Sequence, residues 1–175
     1  MAAEPLEPAA FARLLEASLA AIEAEIAALG DDGAAWRPAP GEWCANEIVG
    51  HLIEAERRGF AGRIRAILAA HNPRLQSWDQ PAVAASRHDC DSPPAALVAE
   101  LRQLRRDSLR LIAGLSPGDL DRAGIHPDVG ELRVSDLLAE WVHHDRNHVK
   151  QLLANTQARV TPQMGNARRF VEREA

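Results

Sequence analysis

From Val134 to Leu152 apolar side chains recur by threes and fours, at Val134, Leu137, Leu138, Trp141 and Leu152, and the same stripe takes in His144 and His148. At about 3.6 residues per turn this spacing describes a helix that buries one face. Two imidazoles are therefore placed where core side chains belong. Four residues apart, they lie about 40° apart around the helix axis and one turn along it, so their rings can converge on one point. His143 is rotated by about 100° from His144 and faces another neighbour or solvent. A buried polar atom without a hydrogen bond costs about 1–3 kcal/mol, so the pair demands partners, and a shared cation satisfies both rings.

Three further segments carry the same periodicity. Phe11, Leu14, Leu15, Leu19, Ile22, Ile26 and Leu29 mark helix one, with Gly30 as its stop. After the loop "DDGAAWRPAPGEW" a second helix is expected from about Cys44 to Ala70, carrying His51 near Ile48, Leu52 and Ala55. Residues 71–91 show little periodicity. Ser92 is the expected N-cap and Pro93 the first residue of helix three, which runs to Leu115. Ser135 or a neighbour opens helix four, running to about Thr156, and "ARRFVEREA" suits a short terminal helix. No strand pattern stands out, and a composition rich in Ala and Leu, without Tyr, favours helix over sheet. The expected fold is all-α, a four-helix bundle with long inter-helix loops, in one domain over residues 1–175 with its core at about 11–156 and a tail at 157–175. A connection as long as 71–91 suits a cover over one end of the bundle.

The net charge of −5 argues against a nucleic-acid partner, which needs a basic face. The arginine groups Arg57, Arg58, Arg63 and Arg65, and Arg102, Arg105, Arg106 and Arg110, read as solvated helix faces. The N-terminus has acidic residues where a signal peptide needs basic ones, and no apolar run approaches the roughly 20 residues of a membrane span. A cytoplasmic protein with no membrane partner is expected, and in that reducing compartment Cys44 and Cys90 are expected as free thiols. His71, His88 and His126 fall in predicted loops and are expected at the surface.

His51 on helix two, together with His144 and His148 on helix four, makes a three-imidazole constellation on inward faces of two helices, which is how bundles build metal sites. Three neutral imidazoles suit zinc, nickel or iron(II), and also copper, and three protein ligands leave a position open to water or substrate. Glu54 and Asp145 are the candidates for orienting an imidazole or shuttling a proton, whereas Glu47 reads as a solvated charge. Cys44, seven residues before His51, lies on nearly the same face; a small buried residue is the commoner fate of such a cysteine than a metal ligand.

The stretch "WRPAPGEWCANEIVGHLIEAE" resembles the lead into helix two of the DinB-like (YfiT-like) metal-binding four-helix-bundle superfamily, where a "W-x-P…G-E-W-S" loop precedes a histidine in an "H-L-x-x-x-E" context. "GIHPDVGELRVSDLLAEWVHHDRNHVKQL" is similar to that family's last core helix, with "H-x-x-x-H" followed by "x-x-Q-L". The resemblance implies that His51, His144 and His148 hold a divalent metal, with Gln151 at the family's glutamine position. Cys44 departs from the usual Ser or Thr before helix two. Members of the family include thiol-dependent S-transferases and a mycothiol-dependent isomerase, so the resemblance implies activation of a low-molecular-weight thiol or of water toward a small-molecule substrate. The alternative is a non-catalytic stress-response module that binds metal or a small ligand. A homodimer is expected, with the basic, Leu-containing face of helix three as a candidate surface.

Overall fold

The computed structural model describes residues 6–171. The first five residues, where the leader reading begins, and the last four, where the expected terminal helix ends, lie outside the described residues. Helix α1, Pro8–Ala35, opens on a proline whose missing N–H costs nothing there, and buries Phe11, Leu15, Leu19, Ile22 and Ile26. Gly30 interrupts it where a stop is expected, at φ 64°, after which one more turn runs to Ala35.

Helix two has the expected extent but not the expected regularity. It comprises α2 (Ala45–Glu54), a π-helical turn (Ala55–Phe60) and α3 (Ala61–Ala69). Cys44 is the N-cap, and its N–H donates to Glu47 Oε2 at 2.9 Å, so Glu47 closes the cap, while its other oxygen accepts from Arg37 at 2.6 Å. Glu47 is thus not the solvated charge expected from sequence. The widened turn admits an extra residue per turn and leaves both Glu56 and Phe60 buried. Every residue of α2 except Glu47 is buried, which makes α2 the central helix, packed against α1 and against the later helices Pro94–Ala113 and Val134–Val160.

Residues 71–91 hold more structure than their sequence suggests. Helix α4, Gln80–Arg87, is capped by Asp79, which accepts from the Ala82 N–H at 3.0 Å, and a 3-10 turn follows at Asp89–Asp91. This turn lies so close to α2 that a Cβ at Gly50 would collide with the Asp89 carboxylate, so any larger residue there requires Asp89 to move. Cys90 in the turn is disulfide-bonded to Cys44, with the Cα atoms 6.3 Å apart. The expected free thiols are corrected: packing of the cover on the start of α2 brings together two cysteines 46 residues apart.

Helix α5, Pro94–Ala113, starts two residues after its expected cap; Pro93 takes the N-cap position, and the Ser92 carbonyl accepts from Asn46 Nδ2 at 2.9 Å. After the single turn α6, Pro117–Leu120, comes an unforeseen antiparallel hairpin, β1 (Ala123–His126) and β2 (Gly130–Arg133), in the register Ala123↔Arg133 to His126↔Gly130. Strands of four residues are too short to show alternation, and the signal lies in the turn, three residues followed by Gly130 at φ 80°. The hairpin also holds the cover: Leu75 N–H donates to the Ile125 carbonyl at 2.9 Å, and Ile125 N–H to that of Pro73 at 2.8 Å. His126, expected at the surface, is buried at the end of β1. Helix α7, Val134–Val160, carries the stripe, and α8, Arg168–Val171, is the described part of the terminal helix.

The core has two apolar halves, one around Leu15, Phe60, Ile112 and Trp141, the other around Ile22, Ile53, Leu101 and Leu152. On each of the four long helical segments a buried polar residue separates them: Ser18, Glu56, Arg105 and Asp145. Arg105, expected on a solvated face, is fully buried, and this corrects that reading for one of its four arginines. Its Nε and Nη2 donate to Glu56 at 2.8–3.1 Å, its Nη1 to the Leu15 carbonyl at 2.7 Å, and Nη2 lies 2.8 Å from Asp145 Oδ2. The histidines lie beside this layer.

Candidate metal centre

His51 projects from α2 toward His144 and His148 on α7, and the three rings meet with centroids 4.5–5.1 Å apart. The Nε2 atoms of His51 and His144 are 3.0 Å apart, and one ligand-capable nitrogen from each of the three rings lies within 4.8 Å of the others. His148 Nδ1 pairs with Gln151 Oε1 at 2.9 Å. An amide oxygen only accepts, so Nδ1 carries the proton and the lone pair of His148 is left on Nε2. Burial, followed by the charge of His148, pushes the His51 imidazolium down to about 4. Burial and the neighbouring His148, His51, His143 and Arg105 push His144 to about 3. His148 is lowered by burial, with Gln151 opposing. At neutral pH all three rings are therefore uncharged, the form that ligates metals.

The donor set fits a transition metal. Two Nε2 atoms at 3.0 Å can share one proton at most, while nitrogens bound to a tetrahedral zinc at about 2.05 Å lie about 3.3 Å from each other. Among the described residues no fourth His, Cys, Asp or Glu joins the group. Cys44, considered as a ligand from its position on helix two, instead groups with Glu47 and Cys90, where its sulfur is bonded to that of Cys90. His143 is exposed, as its rotation on the helix requires.

Aromatic rings wall the centre. Trp43 stacks on His148 (6.4 Å, 15°) and meets His51 (5.2 Å), Trp78 from the cover stacks on His51 (6.2 Å, 24°), and Phe60 from the π-helical turn meets His144 edge-on (5.2 Å, 64°). The length of 71–91 suggested a cover over one end of the bundle; the sequence did not show that Trp43 and Trp78 lie on the imidazoles. The role of Gln151 was legible in part, since i,i+3 side chains on a helix are neighbours.

The two carboxylates singled out from sequence are both buried, and among the described hydrogen bonds neither accepts from an imidazole of the triad. Glu54 accepts from Arg57 at 3.1 Å, Arg58 at 2.5 Å and Arg87 at 2.8 Å. Burial alone would raise its ionisation, but bonds from Arg58 and Arg57 and the charges of Arg58 and Arg87 outweigh this and hold it below the usual carboxylate range. Asp145, adjacent to His144, faces Arg105; burial and then the negative Glu56 raise it to about 6 against the pull of Arg105. Glu56 and Arg105 were not candidates. Arg105 could have been found by the same logic as the histidines, since it occupies a stripe with Leu97, Leu101, Ser108 and Ile112.

A bundle with one histidine on its central helix and two on the last defines an imidazole-lined four-helix protein. The chain belongs to the DinB superfamily, whose family model matches residues 14–152. Its fold is similar to that of YfiT from Bacillus subtilis, described as a probable metal-dependent hydrolase with an unusual four-helix bundle topology, at a TM-score of 0.78, 18% identity and 86% of each chain covered. A candidate metal-dependent hydrolase of Oceanobacillus iheyensis is 20% identical over 112 residues, and one of Bacillus anthracis is 22% identical over the same length. The match spans 64% of this chain and 64% of the length of these relatives. No helix among the described residues is long and apolar enough to cross a membrane.

Proposed function

We propose that His51, His144 and His148 hold one divalent transition metal, with zinc, nickel and iron(II) as the ions suited to this donor set, and that the protein is a metal-dependent enzyme of hydrolase or thiol S-transferase type. The observation that carries this reading is three neutral imidazoles converging with no fourth ligand among the described residues, which leaves room for a nucleophile and a substrate. A cation in such a site supplies Lewis acidity, lowering the pKa of a bound water or thiol toward neutrality.

The remaining roles belong to this chain's side chains. Gln151 fixes the tautomer and tilt of His148 by accepting its Nδ1–H. Trp43, Trp78 and Phe60 restrict water and set the width of the entrance. Asp145, with Arg105 and Glu56, anchors the turn of α7 that carries His144, and Glu54 anchors the cover through Arg87; a proton-shuttling role for either carboxylate belongs to the same reading. Support for hydrolysis comes from the relatives, and support for a thiol substrate from the resemblance in sequence. Pairing of two chains through the outer face of α5 is part of the proposal and is tested by sedimentation.

The test is metal analysis of untagged protein, followed by a screen of ester, amide and thiol-plus-electrophile substrates. About one ion per chain is expected, with metal-dependent turnover, and both lost in His144→Ala. A wild-type level of metal in the His144→Ala, His148→Ala double variant would overturn the centre. Stoichiometric metal without turnover across the screen would leave a metal-binding module in place of an enzyme.

A further inference from the structure

A cavity of about 340 Å³ is walled by Arg57, Arg58, Arg63 and Arg74, with Ser77 and Trp78 also in its lining. Among the described residues no carboxylate lines it, in a chain whose net charge is −5. Three of the guanidinium groups come from the π-helical turn and the start of α3, and the fourth is brought by residues 73–75 of the cover, which pair with β1. The neighbouring cavity of about 390 Å³, which shares Arg63, Ser77 and Trp78, has Asp128 and Glu140 in its wall instead. Trp78 thus lines both cavities and also stacks on His51.

We propose that the arginine-walled chamber seats an anionic group, a carboxylate or a phosphate, of the small molecule whose reactive end lies at the histidine centre. This rests on the metal-enzyme reading above. Planar guanidinium forks are the donors best matched to such oxyanions, and several converging on one cavity give both charge and direction. Two of the four have charge left to give. The Arg74 side chain is exposed and makes no described hydrogen bond or ion pair. Arg63 donates to the Gln76 carbonyl at 3.4 Å and meets His126 Nε2 at 2.9 Å, and its Nε–H, sealed from solvent, has no acceptor. Burial lowers the ionisation of Arg63 in spite of Glu140 and Asp128, whereas the three other described arginines with shifted ionisation, Arg87, Arg102 and Arg105, are all raised by their partners. Arg57 and Arg58 are paired with Glu54 and Glu100, so the charge available to an anion comes from Arg74 and Arg63.

The test uses the full chain, stripped of metal with chelator, at low ionic strength, titrated separately with inorganic phosphate and with succinate by calorimetry. Saturable binding of at least one of the two is expected, weakened about tenfold or more in Arg74→Gln and in Arg63→Gln, as loss of one charge-assisted contact requires. Arg106→Gln, on the exposed side of α5, is expected to bind as wild type. The preferred anion should also change the tryptophan fluorescence of the wild type and not that of Trp78→Phe. Failure of both anions to saturate below about 10 mM, or unchanged binding in Arg74→Gln, overturns the proposal. Metal content measured on the same variants separates the two readings. A chain that binds anion but takes up no metal sinks the metal centre and leaves the anion chamber, and one that takes up metal but neither anion sinks the chamber alone.

Discussion

Replacing Arg105 by Met tests the polar layer that separates the two halves of the core. The wild-type guanidinium makes three contacts to Glu56, one to the Leu15 carbonyl and one to Asp145, all within 3.1 Å and all out of solvent. Arg105→Met keeps much of the side-chain volume and leaves two carboxylates and one carbonyl without their donor. Breaking a buried pair from one side costs about 3–5 kcal/mol, and for a chain of this length that corresponds to a fall in Tm of about 6–20 °C. The penalty should depend on pH in a definite direction. The folded pKa of Asp145, about 6, lies above its ordinary value of 3.8, so the folded state holds the proton more tightly. The stability this contributes is complete below about 3.8 and is lost as pH rises through about 6. Without Arg105 the Asp145 carboxyl is held neutral to still higher pH, so near pH 5 Asp145 is no longer an uncompensated charge. Urea denaturation of the metal-free protein at pH 7.5 and pH 5 is the assay. The loss should be several kcal/mol at pH 7.5 and clearly smaller at pH 5, while Arg102→Met, which breaks only the solvent-exposed pair with Glu23, is a control that should leave the denaturation midpoint nearly unchanged. A loss below about 1 kcal/mol at pH 7.5, or one of equal size at both pH values, would refute the assignment of this layer as a charge-compensated unit.

Gln151→Ala should weaken metal affinity by about 10–100-fold in competition with a chelating dye, with the stability of the metal-free protein changed by less than about 0.5 kcal/mol; unchanged affinity would mean that Gln151 does not orient His148. In the metal-free protein, nuclear magnetic resonance should find His51 titrating near pH 4 and His144 near pH 3. Because these folded values lie below the ordinary histidine value of 6.5, the unfolded chain binds more protons in between, so the two rings withdraw stability as pH falls from about 6.5, against the smaller opposing gain from Asp145. A metal-free protein equally stable at pH 7 and pH 4.5 would contradict this balance. Reducing the Cys44–Cys90 bond, which closes a 46-residue separation, should cost up to about 4 kcal/mol by chain entropy. Identical denaturation midpoints with and without reductant would show that the bond carries no such stability.

The helices were legible in the sequence because what defines them is local. Gly30, Pro8 and the stripe from Val134 to Leu152 act within a few residues, and the four-residue spacing of His144 and His148 fixes their common face before anything is packed against it. Their convergence with His51, 93 residues away, was inferred from two inward faces and the family resemblance, and the distance of 3.0 Å follows from how α2 packs on α7. The departures share one physical origin. Arg105 reads like its neighbours Arg102, Arg106 and Arg110 until Glu56, Asp145 and Leu15 close around it, and the bond to the Leu15 carbonyl spans 90 residues. The Cys44–Cys90 bond, the stack of Trp78 on His51, and the arrival of Arg74 beside Arg57, Arg58 and Arg63 likewise depend on where residues 71–91 lie, and that was decided by the β1 edge and the space above Gly50. The π-helical turn needs the same account: residues 55–60 are compatible with an ordinary α-turn, and only the tertiary fit of Phe60 against Trp141 and of Glu56 against Arg105 selects the wider one. Periodicity thus determined which faces turn inward, while the pairing of charges and the walls of the two chambers were set by contacts between segments far apart in the chain, for which no local pattern exists.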